Sequence, residues 1–184
     1  MPKRPDNAYA APTVLKPFDK EQQFIQVVIE TPRGSRNKYK FEPKLGSMKL
    51  NKVLPAGMEF PYDFGFVPGT RAEDDDPIDV LLFMDEQVFP GCVVESRLIG
   101  VIEGEQKEEG GETIRNDRLV AVAKESHTHS DLTQITDINH RLLDEVAEFF
   151  VNYHQLSGSS FKVLGFKGPR EAGRLLKKAI KNAA

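Results

Sequence analysis

The sequence has no tryptophan and a single cysteine among 184 residues, so no disulfide can form within one chain. That cysteine stands beside valines in Cys92-Val93-Val94 and is expected to be a buried, inert thiol. No apolar run approaches the length of a membrane span, residues 80–84 being typical of its short hydrophobic stretches. The N-terminus Met1-Pro2-Lys3-Arg4 is not followed by an apolar signal segment, so the cytoplasm is the expected location and no membrane partner is expected. Charge of one sign is not in excess: a net charge of −3 gives no whole-protein attraction to nucleic acid. Internal repeats and a dividing linker are also lacking.

What remains is the composition of a folded domain, 39% hydrophobic and 29% charged. Residues 1–20, rich in Pro, Ala and Lys, read as an N-terminal arm, and residues 21–184 as a single domain. Ile25, Val27 and Ile29 alternate as on a strand over residues 24–30. Residues 38–42 and 48–54 flank Pro43-Lys44-Leu45-Gly46-Ser47 as a hairpin. A short strand is expected within residues 60–69, and further strands over 78–84, 92–102, 118–124 and 161–166. Residues 103–117, with Gly104, Gly110 and Gly111, read as a mobile polar loop. From Asp137, a possible N-cap, Ile138, Leu142, Val146, Phe149, Phe150 and Tyr153 recur at helical spacing. Pro169 opens a second helix bearing Leu175, Leu176, Ala179 and Ile180. Short strands followed by helices suggest a mainly β fold, a small barrel with two or more helices packed outside.

The stretch Glu73-Asp74-Asp75-Asp76-Pro77-Ile78-Asp79 carries the chemistry. A solvated turn is one reading of it, since aspartate is common in turns. Asp79, however, lies within an apolar strand on the face shared with Leu81 and Phe83, where a carboxylate is costly unless a cation or donors compensate it. Grouped oxygen ligands suit hard cations such as Mg²⁺, Mn²⁺ or Ca²⁺. The glycine and ligand spacing of an EF-hand are missing, which leaves Asp74, Asp76 and Asp79 as an open carboxylate set. Phe60, Tyr62, Phe64 and Phe66 could stack bases, but an acidic pocket repels a polyanion, so no nucleic-acid partner is expected. His127 and His129 are spaced too loosely to specify a transition metal and read as part of a polar loop.

The order of motifs around that stretch resembles family I soluble inorganic pyrophosphatase. It runs Val27-Val28-Ile29-Glu30, Lys38-Tyr39, residues 61–68, Asp74-Asp75-Asp76-Pro77-Ile78-Asp79-Val80-Leu81, Pro90-Gly91, Leu119-Val120-Ala121-Val122 and Phe149-Phe150-Val151-Asn152-Tyr153. The resemblance implies a five-stranded OB-like β-barrel with flanking helices. It also implies hydrolysis of inorganic diphosphate to two phosphates with Mg²⁺, Mn²⁺ being a possible substitute. Carried over, Asp74 and Asp79 hold a metal pair, Asp76 orients and deprotonates the attacking water, and Glu30 helps hold a metal arriving with substrate. Lys38 and Tyr153 contact phosphate oxygens. A homo-oligomer is expected, as is common in the family.

Several positions depart from the family pattern. Lys40 stands for a glutamate; Lys52 stands for an arginine, which keeps charge for substrate but loses a bidentate grip. Phe60 and Phe64 replace tyrosines, and Asn116, beside Asp117, replaces a metal-binding aspartate while retaining an amide oxygen that can coordinate. Arg118 and His154 stand for lysines that contact substrate. A further metal aspartate aligns with Gln106, near Glu105, Glu108 and Glu109. The weakened outer metal site leads us to expect activity at a higher Mg²⁺ concentration than is usual in the family. The departures also leave open a catalytically weakened protein that binds metal–diphosphate, or a hydrolase of another phosphoanhydride.

Overall fold

The computed structural model describes residue 12, residues 15–108 and residues 110–183. Most of the expected N-terminal arm lies outside these; within it, Phe18 bridges to Ile25. The strands are β1 (Ile25–Thr31), β2 (Asn37–Glu42), β3 (Ser47–Val53), β4 (Asp63–Phe66), β5 (Asp79–Phe83), β6 (Val93–Glu108), β7 (Thr113–Arg115), β8 (Arg118–Ala123) and β9 (Ser159–Lys167). Helices α1 (His140–Leu156) and α2 (Pro169–Ala183) complete the fold.

Five strands close on themselves. β1 pairs with β4, β4 with β5, β5 with β8, β8 with β6, and β6 returns to β1, all antiparallel except β5 with β8. This ring matches the expected mainly β, OB-like fold, with two helices outside it. β5 and β8 are apolar because both of their faces are covered. Leu81, Phe83, Val120 and Val122 pack in one cluster with Leu143, Val146 and Phe150 of α1. Their neighbours Val80, Leu82, Leu119 and Ala121 pack in a second with Ala172, Leu176 and Ala179 of α2. Strand alternation therefore sorts one sequence between two helices. At Gly65 β4 crosses so close to β1 that an added Cβ would lie 2.0 Å from the Val28 carbonyl oxygen.

Three expectations need correction. Residues 103–117 are not a loose loop: β6 runs through to Glu108 because β9 pairs with it from Val101↔Lys167 to Glu108↔Ser159, and β7 flanks its other edge. The N-cap of α1 is Asn139, whose Oδ1 accepts from the Arg141 amide at 2.9 Å. Asp137 instead accepts from the amides of Thr133 and Gln134 and ties down the preceding turn. Cys92 is only half-buried, because it lies in the turn before β6 rather than inside the strand. His127 lies in a turn whose amides donate to Asp85, in keeping with a polar loop. Among the described residues no helix is long and apolar enough to cross a membrane.

Candidate active site

The β2–β3 hairpin stands over the acidic end of β5, and between them lies a cleft of about 690 Å³. Glu30, Asp74, Asp76 and Asp79 line it together with Lys38, Lys49, Lys52 and Tyr153. The lysines come from the hairpin register, which sets Lys38 opposite Lys52 and Lys40 opposite Lys49. Like charges directly opposite on paired strands are destabilising, so this arrangement serves an anionic ligand better than it serves the hairpin. The Tyr153 ring supports two of the ammonium groups, with Lys38 Nζ 5.3 Å and Lys52 Nζ 5.1 Å from its centroid.

The acidic wall is built by a tight turn. The Ala72 amide donates to the Asp76 carbonyl, and Asp75 takes a positive φ of 67° that aspartate tolerates better than most residues. Asp75 pairs with Arg71 at 3.1 Å, so its role is to close the turn that presents its two neighbours. Asp74 accepts from the Asp76 amide at 3.2 Å. Glu30 is buried and accepts from the Phe41 amide at 2.7 Å, which fixes its direction. Burial and the Asp79 charge push the Glu30 carboxyl up to about 7, against the Phe41 hydrogen bond. The same two causes, in the same order, raise Asp74 to about 6. Burial raises Asp79 as well, opposed by Arg118 behind it. Partly buried carboxylates that repel one another around a cleft leave room for compensating cations.

Asp76 has a cation from the hairpin beside it: Lys40 Nζ lies 2.7 Å from Asp76 Oδ2. Burial opposes charge on Lys40, but the hydrogen bond to Asp76 and the attraction of Asp76, Glu30 and Asp79 outweigh it, and its pKa is raised. Asn116 and Gln106 also line the cleft and bond to each other, Asn116 Nδ2 donating to Gln106 Oε1 at 2.7 Å. Asp117 is turned to the Gly104 amide and to Arg115, leaving Glu108 as the acid of the 103–117 segment that reaches the cleft among the described residues. Glu109 lies outside the described residues. Among the described residues, no three histidine, cysteine or acidic side chains already enclose a site for an ion.

Two residues expected to touch substrate stand differently. Arg118 is 3% exposed and lies behind the cleft wall, its guanidinium 4.4 Å from the Phe150 ring centroid and 4.1 Å from that of Phe161. It donates to the Asn116 carbonyl at 3.0 Å, lies 3.2 Å from His154 Nε2, and stands 3.9 Å from Asp79 Oδ2. Because arginine only donates, His154 Nε2 is the acceptor and its proton sits on Nδ1, facing Ser159 Oγ at 3.0 Å. Burial, with Arg118, Lys38 and Lys52 around it, lowers His154 to about 3. The imidazole lining the cleft is therefore neutral, with both nitrogens engaged by the protein. Of the two phenylalanines, Phe64 lines the cleft, whereas Phe60 is buried against Phe64, Phe149 and Tyr153.

Sequence reasoning missed the part played by Lys49 and by Ser157 and Ser159, which also line the cleft. Alternation of Lys38 with Lys40 was visible in the sequence, but the facing pair needed the hairpin register.

A sequence model of a family described as inorganic pyrophosphatase matches residues 27–184. The inorganic pyrophosphatase of Synechocystis is 36% identical over 166 residues, covering 90% of this chain and 95% of that protein. That of Thermus thermophilus is 37% identical over 157 residues, covering 84% and 87%. The crystal structure of a Thermus thermophilus inorganic pyrophosphatase superimposes with a TM-score of 0.86 at 34% identity, covering 95% of this chain and 99% of that one.

Proposed function

The chain belongs to the inorganic pyrophosphatase family, and from that premise we propose how its cleft works. It is a hydrolase that splits inorganic diphosphate into two phosphates. The observation that carries the reading is that one cleft is lined both by the carboxylates of Glu30, Asp74, Asp76 and Asp79 and by the hairpin lysines Lys38, Lys49 and Lys52. Carboxylates hold cations and ammonium groups hold phosphate oxygens, so the cleft suits a metal–diphosphate complex.

The cofactor is a divalent cation, and the all-oxygen donor set suits Mg²⁺, with Mn²⁺ as a substitute. Asp74, Asp79, Glu30 and the amide oxygen of Asn116 would hold it; burial, with the charge of Asp79 added to it, disfavours charge on Glu30 and Asp74, which a cation there would offset. When bound, such ions lower the pKa of water and clamp the reacting oxygens. Asp76 orients the attacking water and takes its proton. Lys38 and Lys52 engage the phosphate oxygens and offset charge that builds up as the phosphoryl group moves. Tyr153 fixes both ammonium groups. His154, being neutral, contributes shape and holds Arg118, and Arg118 steadies Asp79 and the Asn116 backbone from behind. A homo-oligomeric state and a cytoplasmic location belong to the same proposal, and sedimentation of the purified chain checks the first.

The test is phosphate release from diphosphate by the purified chain across a Mg²⁺ and Mn²⁺ titration. Metal-dependent release is expected; none at any concentration would contradict the proposal. The Lys40–Asp76 pair supports a second reading, a weakened member that binds metal–diphosphate without turning it over. Calorimetry would then show binding of metal–diphosphate with no hydrolysis.

A further inference from the structure

The cleft carries a counter-charge of its own. Lys40 reaches from the hairpin to the acidic turn and is held on Asp76 at 2.7 Å. An ammonium at that distance engages carboxylate lone pairs that a metal would need, and its charge repels a dication nearby. The pair is part-exposed on both sides, with side chains 45% and 52% accessible, so it does little for stability. Elsewhere on the same cleft, the amides of Asn116 and Gln106 satisfy each other, and Gln106 Nε2 donates in turn to Glu108. That corner offers two amides bonded to one another, and its one carboxylate, Glu108, already accepts from Gln106.

We propose that Lys40 is a resident cation: its ammonium stands in place of a divalent ion beside Asp76, fixes the direction of that carboxylate, and lets the chain work with fewer bound metal ions. Lys40 is thus a positioning residue acting through Asp76. The inference rests on the reading of the cleft given above. It revises the expectation of a raised Mg²⁺ requirement, since a charge lost at one outer site is supplied covalently at another.

The experiment is Mn²⁺ binding to the full chain without substrate, followed by calorimetry and electron paramagnetic resonance. Lys40→Glu is expected to bind one more Mn²⁺ per chain than wild type. Lys40→Met should bind its weakest ion about tenfold more tightly as the repulsion is lost. Lys40→Arg should bind as wild type does, and so should Lys44→Glu, an equal charge change at the exposed hairpin turn. Equal stoichiometry and affinity in Lys40→Glu and wild type would overturn the inference, as would an equal effect from Lys44→Glu. With saturating Mg²⁺, Lys40→Met should lose about tenfold in kcat and Lys40→Arg should restore it; a kcat above wild type in Lys40→Met would make Lys40 an obstruction and overturn the inference. Asp79→Asn separates the levels. If it leaves wild-type Mn²⁺ binding intact, the cleft reading fails; if it abolishes binding while Lys40→Glu changes nothing, only the resident cation fails.

Discussion

Replacing Arg118 with methionine tests how the cleft is supported from behind. The guanidinium is 3% exposed, is packed against the Phe150 and Phe161 rings, and donates to the Asn116 carbonyl and to His154. Methionine fills much of that volume but offers no donor. Two buried acceptors are then left unmade, at about 1–3 kcal/mol each. Asp79, 3.9 Å away, loses its nearest cation, and removing one partner of a buried pair costs about 3–5 kcal/mol. These contributions overlap, and the unpartnered Nε of Arg118 already weakens the native arrangement, so we expect a net loss of about 3 kcal/mol. For a domain of this size that corresponds to a fall in Tm of roughly 10 °C. Differential scanning calorimetry of chelator-treated protein would measure it. Mg²⁺ should recover part of the loss, because a cation at Asp79 replaces the missing charge. A Tm within about 2 °C of wild type without metal would refute the reasoning, since buried acceptors would then have been abandoned at no cost.

Other outcomes follow from single contacts. Gly65→Ala would drive a Cβ to 2.0 Å from the Val28 carbonyl, so β1 and β4 must part; a loss of at least about 2 kcal/mol is expected in urea unfolding, and a loss under about 0.5 kcal/mol would contradict the register. His154 is lowered to about 3 in the fold, so as pH falls below the unfolded value near 6.5 the unfolded chain gains a proton that the native one refuses. Its contribution to stability is therefore present above about 6.5 and is lost on acidification, by about 2 kcal/mol at pH 5. His154→Gln, which can still accept from Arg118, should lack that acid-side loss; identical stability–pH curves for variant and wild type would contradict a neutral buried imidazole.

How far these features were legible in the sequence depended on how local their causes are. Asp79 could be picked out because strand alternation alone put a carboxylate on an apolar face; a small barrel was suggested by the run of short strands followed by helices, and its five-stranded form only by the resemblance. Glu30 was legible only through resemblance; its burial depends on a hydrogen bond from Phe41 in another strand. The segment 103–117 looked like a loop because its composition is polar, yet β9, more than fifty residues on, supplies the partner that holds β6 straight to Glu108. Arg118 was expected at substrate because it stands for a lysine of the family pattern; here Phe150 and Phe161 come from a helix and a strand remote in sequence to enclose it. Lys40 was noted as a departure, but its contact with Asp76 crosses from one sheet to a loop beside another, which no local pattern reports.

The central claim is that this cleft hydrolyses diphosphate with Asp76 taking the proton of the attacking water. Its most direct test is steady-state phosphate release from diphosphate at saturating Mg²⁺, wild type against Asp76→Asn. The amide keeps the shape and removes the base, so kcat should fall by about 10²- to 10⁴-fold while the KM for diphosphate changes only a few-fold. A variant that turns over within about threefold of wild type would contradict the account.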